Sequence, residues 1–272
     1  MKARSEKLTL QEAYVQSHQR HHRLVGLCRF LCFLVFLSAW ELCADLDIIN
    51  SFIFSSPSRI AYTIFLMWQD GSLFLHTGVT LLEILISFAL VAIVSLGTAT
   101  LLWCSRTLSE ILEPWLVILN SLPKSALAPL LIVWLGSGMR TIIIAGMSVA
   151  LFGSVISVCT AFRESDPEKT RLIYTLGGNQ AQVLYCVVFP ESLPAIISIL
   201  KVNIGLCLVG VIIGEFLSAR QGLGYLIIYA SQVFKLNYLI AALIILCVIA
   251  FGLYQIIARL EHRVRKSRQA QP

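Results

Sequence analysis

The chain has 272 residues, of which 57% are hydrophobic and only 13% charged, with a mean hydropathy of +0.81. A water-facing domain carries about 25% charged residues, so this composition excludes a soluble globular protein and fits one membrane domain. The net charge of +6 does not point to nucleic acid, because the basic residues gather in "RHHR" (20–23) and "RLEHRVRKSR" (259–268), as membrane-anchoring flanks do.

A polar N-terminal tail (1–23) opens the chain and does not read as a cleaved secretory signal. A bilayer core needs about 20 apolar residues per helix, and six segments qualify, which predicts an all-α, polytopic helical bundle. The first is 24–44. "SSPSRIAYTIFLMWQDG" follows, and its Ser-Pro pair predicts a short amphipathic helix over 58–68 at the outer interface. The second span, 76–103, is long enough to tilt. The third, 114–135, is broken by Pro123 and Pro129. The fourth, fifth and sixth are 141–162, 193–217 and 237–258, and a basic tail (259–272) closes the chain. The membrane domain is thus 24–258.

Six spans put both termini on one side, and the basic residues say which. A cytoplasmic N-terminus collects Lys2, Arg4, Lys7, Arg20, Arg23, Arg106, Arg163, Lys169, Arg171, Arg259, Arg263, Arg265, Lys266 and Arg268 inside. It leaves Arg59, Arg140, Arg220 and Lys235 outside. The bias predicts cytoplasmic termini and a cytoplasmic loop over 163–192.

That loop reads "DPEKTRLIYTLGGNQAQVLY" from Asp166. Asp166 caps a helix with Pro167 at its first position. Leu172, Ile173 and Leu176 share a face at helical spacing, and Gly177-Gly178-Asn179 breaks the helix. A second short helix (180–188) carries Val183, Leu184 and Val187, and Pro190 stops it; Pro194 sits near the first turn of the fifth span. Such a hairpin either docks a partner or lies on lipid.

Ionisable groups inside spans normally face protein or water. Glu83 in the outer third of the second span either pairs with a neighbouring helix or subunit or contacts substrate. Lys124, after Pro123, serves a pathway or a structural hinge. Lys201 snorkels to the headgroups. Glu215 ends the fifth span, followed by Gly222 and Gly224; it is a binding-protein contact, an outer gate, or part of a loop that simply turns. The eight cysteines have no metal spacing and read as small buried hydrophobes. His18, His21 and His22 belong to a solvated basic flank.

The loop resembles the EAA loop of ATP-binding-cassette (ABC) importer permeases: Glu-Ala-Ala, three residues, Gly, nine residues, Ile-x-Leu-Pro. Gly177 takes the Gly position, Val187 the Ile, Phe189 the Leu and Pro190 the Pro. "TLGGNQAQVLYCVVFPESLP" is similar to the version in sulfonate/taurine/nitrate-type permeases. So are "SPSRI", "DGSLFLHTGVTLLEILISF", "LEPWLVILNSLPKSALAPLLIVWLGSG" (with Pro114, Pro123, Pro129, Leu130, Trp134 and Gly136) and "GEFLSARQGLGYLI". The resemblance covers about residues 56–234 and implies a type I importer permease fold, a bacterial inner-membrane location and import of a small solute, with an aliphatic sulfonate or related organic anion as one case. It implies a cytoplasmic ATP-binding subunit docked on Arg171, Leu172, Ile173, Gly177, Gly178, Val187, Phe189 and Pro190, an extracytoplasmic solute-binding protein, and a second permease copy. ATP and magnesium are expected on the partner ATPase, with no cofactor on this chain. Three departures stand out. Arg171 replaces the motif's Glu, with Leu172 and Ile173 replacing its alanines. Glu83 occupies the second span's Arg position, and Ser87 the following Gly position.

The chain has no GxxxxGK[ST] phosphate loop, no HExxH and no GxSxG, so no catalytic or metal-binding residues are expected. An ion-gradient-driven secondary transporter is the alternative. The absence of an evident internal repeat and the scarcity of acids in the spans speak against it.

Overall fold

The computed structural model describes residues 10–46, 48–49 and 54–269; Lys2, Arg4 and Lys7, counted in the charge bias, lie outside them. Among the described residues all regular structure is helical. The chain divides into two units, residues 1–62 and 63–272.

The first unit holds α1 (Leu10–Asp45) and the start of α2 (Pro57–Gln69). Within α1, Leu24–Asp45 is long and apolar enough to cross a bilayer, and Leu31, Phe33 and Val35 are exposed as a lipid-facing helix requires. Glu41 accepts hydrogen bonds from Ser58 Oγ at 2.6 Å and Ser58 N at 3.0 Å. A carboxylate at the first turn of α2 satisfies an amide that has no partner within the helix. The amphipathic helix expected over 58–68 is α2.

The second unit comprises α3 (Ser72–Cys104), α4 (Arg106–Ser121), α5 (Lys124–Leu135), α6 (Met139–Arg163), α7 (Pro167–Thr175), α8 (Gln180–Val183), a π-helical turn (Leu184–Val188), α9 (Phe189–Ser218), α10 (Leu223–Gln232) and α11 (Leu236–Gln269). Helix α6 is the axis of the unit, packed along α9 and α3, with α4 and α5 also against it; α11 packs on α9 and α10.

Small residues let these helices meet, since lipid-embedded helices associate by close packing and not by hydrophobic exclusion. A Cβ added to Gly210 would lie 2.8 Å from Gly146 Cα and 2.9 Å from the Ala145 carbonyl oxygen. A Cβ on Gly146 would lie 2.7 Å from Ser87 Oγ, the residue standing where the family pattern has glycine. Ser87 is tolerated because it is buried with its hydroxyl donating to the Ile143 carbonyl at 3.1 Å. Asn203 donates to Ser154 Oγ at 2.7 Å across the same α6–α9 seam. Gly210→Leu must push backbone apart and is expected to destabilise by about 3 kcal/mol or more, read as a lowered thermal midpoint in detergent; Gly205→Leu, where a Cβ meets nothing within 4 Å, is the control.

Five described helices are long and apolar enough to span a bilayer, and six spans result if α4 and α5 form one broken span. The two meet at 96°. The break falls at Leu122-Pro123, where Leu122 is extended (φ −61°, ψ 138°) because the proline ring disfavours a helical predecessor. Two expectations need correction here. Pro129 lies inside α5 without ending it, and the third segment begins at Arg106, with Pro114 inside α4.

Pro190 also does not stop the second loop helix. α8, the π turn and α9 form one continuous 39-residue helix, Gln180–Ser218. Phe189 N–H donates to the Leu184 carbonyl, five residues back. This widened turn precedes Pro190, which sits in the first turn of α9, so its ring and missing N–H are accommodated where the helical ladder changes register. Pro194 is interior to α9.

Candidate functional site

The loop between α6 and α9 is built to hold one shape. The Asp166 carboxylate accepts from Glu168 N at 2.9 Å and caps α7. At the other end Gly177 adopts φ +82°, which a residue with a side chain resists. Gly177 N donates to the Tyr174 carbonyl (3.0 Å) and Gly178 N to the Ile173 carbonyl (2.9 Å), the paired bonds of a Schellman ending. A Cβ on Gly178 would lie 2.5 Å from Ile173 Cγ2. Asn179 then starts α8 through a reciprocal capping box with Gln182, at 2.9 and 2.8 Å. Both turns of the hairpin are therefore hydrogen-bonded shut.

One side is anchored. Val183, Leu184 and Val188 share a core with Ala99, Val158, Phe162 and Ile196, and Ile173 and Phe189 pack against it. Gln180 Nε2 donates to the Cys104 carbonyl at 2.9 Å. Lys169 pairs with Glu191 at 2.5 Å, and Glu191 also accepts from Asp166 N at 2.9 Å. The carboxylate beside it holds the Lys169 ammonium above its ordinary pKa, so its charge persists through the physiological range.

The other side is open. Leu172 is 57% exposed, Leu176 75% and Tyr185 73%, with Arg171 and Gly177 exposed beside them. The face expected to hold Leu172, Ile173 and Leu176 together is split. Leu172 and Leu176 stand one turn apart facing out, while Ile173, about 100° round the helix, turns into the core. Of the motif positions, Arg171, Leu172 and Gly177 are outward; Val187 is buried and Ile173, Gly178, Phe189 and Pro190 are partly buried. Apolar side chains grouped this way on a rigid exposed hairpin mark an interaction surface.

Lys124 acts at the α4–α5 break. Its ammonium donates to the carbonyls of Leu119 and Asn120, the latter at 3.0 Å, and lies 5.5 Å from the Phe152 ring centroid. It therefore covers the open carbonyl end of α4. Lys201 pairs with Glu261 of α11 at 2.5 Å, over the Tyr254 ring. Among the cysteines with a described environment only Cys207 is buried, which corrects their reading as core hydrophobes; Cys43 and Cys159 are half-buried, and Cys28, Cys32, Cys104, Cys186 and Cys247 are exposed.

A second constellation lies at the opposite end of the second unit, where α3 begins and α9 ends. Glu215 is buried, and one carboxylate oxygen accepts from Thr80 Oγ1 at 2.6 Å while the other accepts from Gly224 N at 2.5 Å. Thr80 Oγ1 in turn accepts from Leu223 N at 2.8 Å, and Gly222 N donates to His76 Nδ1 at 3.1 Å. These bonds fasten the first turn of α10 to α3 and α9. Gly222 (φ +115°) is required, since any Cβ there would sit 2.4 Å from a Glu215 oxygen. With its carboxylate turned inward, Glu215 holds the α9–α10 turn and presents no surface to a docking protein. Glu83, one turn beyond Thr80, is also buried. Sequence reasoning missed Thr80, His76 and α10. The spacing of Thr80 and Glu83 on one face of α3 was the available signal.

Comparison with known proteins places these features in context. Residues 92–266 match the family described as "Binding-protein-dependent transport system inner membrane component". A probable ABC transporter permease of Haemophilus influenzae is 34% identical, with 84% of this chain and 93% of that protein covered. The riboflavin transport system permease RibX of Chloroflexus aurantiacus is 30% identical over 84% and 85%. The taurine transport system permease TauC of Escherichia coli is 24% identical over 85% and 86%. Among solved structures, a chain of the inward-facing methionine ABC transporter MetNI superposes with a TM-score of 0.63 at 18% identity, over 70% of this chain and 94% of that one.

Proposed function

Since the chain belongs to the binding-protein-dependent transport system inner membrane component family, we propose that its 163–192 loop is the surface through which a separate ATP-binding subunit drives import. The chain is a permease subunit of an ABC importer. Membership replaces the ion-gradient alternative. The observation that carries the proposal is the pairing of an exposed apolar face (Leu172, Leu176, Tyr185) with a hairpin locked at both turns and continuous with the fifth span. A flexible or lipid-lying loop needs none of that rigidity.

In this reading Arg171 meets an acidic patch on the partner, in place of the basic one that the motif's Glu would meet. ATP and magnesium reside on that partner, and this chain binds no cofactor. Two permease copies enclose the solute path, with the α4–α5 break at Pro123, Pro129 inside α5, Lys124, Glu83 and the Glu215–Gly222–Gly224 turn along or around it. A solute-binding protein delivers the cargo on the far side. The basic residues support a bacterial inner-membrane orientation with the hairpin and both tails, 1–23 and 259–272, in the cytoplasm. The cargo is a small polar nutrient, with an aliphatic sulfonate or related organic anion within the class.

The deciding experiment is gentle-detergent purification from the native membrane with mass spectrometry of co-purifying chains. We expect an ATP-binding subunit at one per permease copy; a homo-oligomer without one would overturn the proposal. In cells, uptake is expected to continue under an uncoupler as long as ATP is maintained, and to stop when ATP is depleted with the potential intact. The reverse pattern would count against ATP coupling.

A further inference from the structure

The first turn of α10 carries amides that its own helix cannot satisfy, and side chains of neighbouring helices take them. Gly222 N donates to His76 Nδ1 at 3.1 Å, Leu223 N to Thr80 Oγ1 at 2.8 Å and Gly224 N to Glu215 at 2.5 Å. His76 and Thr80 stand one turn apart on α3, so that helix holds the turn by two of these bonds. The acceptors differ in one respect. A hydroxyl accepts at any pH, and the Glu215 carboxylate is engaged a second time by Thr80 Oγ1 at 2.6 Å. An imidazole nitrogen accepts only while it carries no proton, and imidazole is the side chain that ordinarily gains one just below neutral pH. Once Nδ1 is protonated, two N–H donors face each other and the bond to Gly222 becomes a repulsion.

The ring also has room to turn. His76 is half-buried and lines a cavity of about 200 Å³ together with Asp70, Ser72, Tyr229, Lys235 and Tyr238. Asp70, Tyr229 and Lys235 are exposed, and the cavity lies where the α3 and α11 spans begin, so it opens at the edge of the membrane-crossing region. The titratable groups around the ring are Asp70 before α3, Glu83 two turns along α3, Glu215 of α9, Tyr225 and Tyr229 of α10, and Lys235 and Tyr238 at the start of α11. The Tyr225 ring stacks on the imidazole with centroids 6.2 Å apart, and the Lys235 ammonium lies 5.7 Å from the Tyr238 ring centroid. Asp70 is the acid that shares the cavity with His76. The Ser72 hydroxyl and amide hold its carboxyl below the ordinary range, so it stays charged in mild acid and can receive an imidazolium.

We propose that His76 is an acid-released latch on the α9–α10 turn: neutral, it binds the Gly222 amide, and protonated, it lets go and turns to the Asp70 carboxylate across the cavity. The latch contributes its bond while the ring is neutral and loses it as pH falls through the imidazole titration, so acid loosens the turn and a return to neutral pH closes it. Thr80 and Glu215 keep their bonds to Leu223 and Gly224, which confines the loosening to the start of α10. In the orientation proposed above, the latch faces the outside of the cell. It goes beyond the coupling reading and does not depend on it.

The test is amide exchange over Gly222–Gln232, followed by mass spectrometry on the full-length chain in lipid nanodiscs, with each rate divided by the intrinsic rate at that pH. With an ordinary imidazole pKa of about 6.5 in the released state, the opening equilibrium should rise about ten-fold from about pH 7.5 to about pH 5.5. His76→Asn puts an amide oxygen near the place of Nδ1 and cannot titrate, so its turn should stay protected at both pH values. His76→Ala should be equally open at both. Asp70→Asn removes the second seat and should move the transition to lower pH. A flat profile in the native chain, or the native profile in His76→Asn, would overturn the latch; an unmoved transition in Asp70→Asn would remove Asp70 from it. Should the Asn variant fail to fold, a chain with His18, His21, His22 and His262 changed to Gln leaves His76 as its only imidazole. Its ring nitrogen resonances should report a neutral ring protonated at Nε2 at the higher pH and an imidazolium at the lower. A neutral ring protonated at Nδ1, or no titration, contradicts the proposal. Because no ATPase or uptake is involved, failure here leaves the importer reading standing, and failure of the pull-down leaves the latch standing.

Discussion

Replacing Gly177 by aspartate is expected to bring uptake to background while the protein remains folded in its membrane. The two halves of that outcome have separate causes. A Cβ at Gly177 meets nothing within 4 Å, so the folded chain bears only the strain of φ +82°, about 1–2 kcal/mol for a left-handed non-glycine residue and less for aspartate, which tolerates that region. The carboxylate, however, would stand between Leu176 and the partner surface. An unpaired charge buried in an interface costs roughly 2–5 kcal/mol, and each 1.4 kcal/mol is about ten-fold in affinity. Docking should weaken by about two orders of magnitude. The measurements are uptake, the thermal midpoint of the purified permease, and recovery of the ATP-binding subunit. Normal uptake would remove the hairpin from the coupling mechanism. Gly178→Val makes the contrast, because its Cβ collides with Ile173 and the hairpin itself should distort.

Glu215→Ala is expected to loosen the far end of the unit. The Thr80 hydroxyl and the Gly224 amide would lose their acceptor in a buried setting, and each orphaned group costs about 1–3 kcal/mol. The loss should appear as a lower thermal midpoint and as faster amide exchange over Gly222–Gln232, with the hairpin unaffected. Glu215→Gln keeps one carbonyl acceptor and should sit between. Unchanged exchange in the alanine variant would show that α10 is held by packing alone.

The spans were legible because an 18-residue apolar run has one cheap solution in lipid, a helix. Pro123 was legible as a break because the residue before it must leave the helical region. Pro129 and Pro190 carry the same residue type, and reading them the same way failed. Pro190 is preceded by a π turn that no local pattern announces, and α5 carries Pro129 without ending. The hairpin's ends were readable from Asp166, Pro167 and the Gly-Gly-Asn triplet, since capping is local chemistry. Which side of α7 faces out was not, because Leu172 and Ile173 are chemically alike and only the Val183–Phe162 core decides between them. The far-end cluster was the least accessible. Thr80 and Glu215 are 135 positions apart, and nothing local indicates that the hydroxyl of one meets the carboxylate of the other. Helix α10 escaped notice because ten residues are too few to register as a span, and the glycines at its start read equally as a turn.

The register change at Leu184–Val188 has a mechanical consequence. A chain that ended its loop helix at Pro190 would place a flexible joint between the hairpin and the fifth span, and displacement would dissipate there. This chain instead presents one uninterrupted lever, on the order of 58 Å long at 1.5 Å per residue, with the hairpin at one tip and Glu215 near the other. Rocking it by about 5° around its midpoint would swing each tip by roughly 2.5 Å in opposite directions, which is close to the length of one hydrogen bond. A push delivered at Leu176 would thus arrive at the α9–α10 turn as a stroke large enough to make or break the Glu215 contacts.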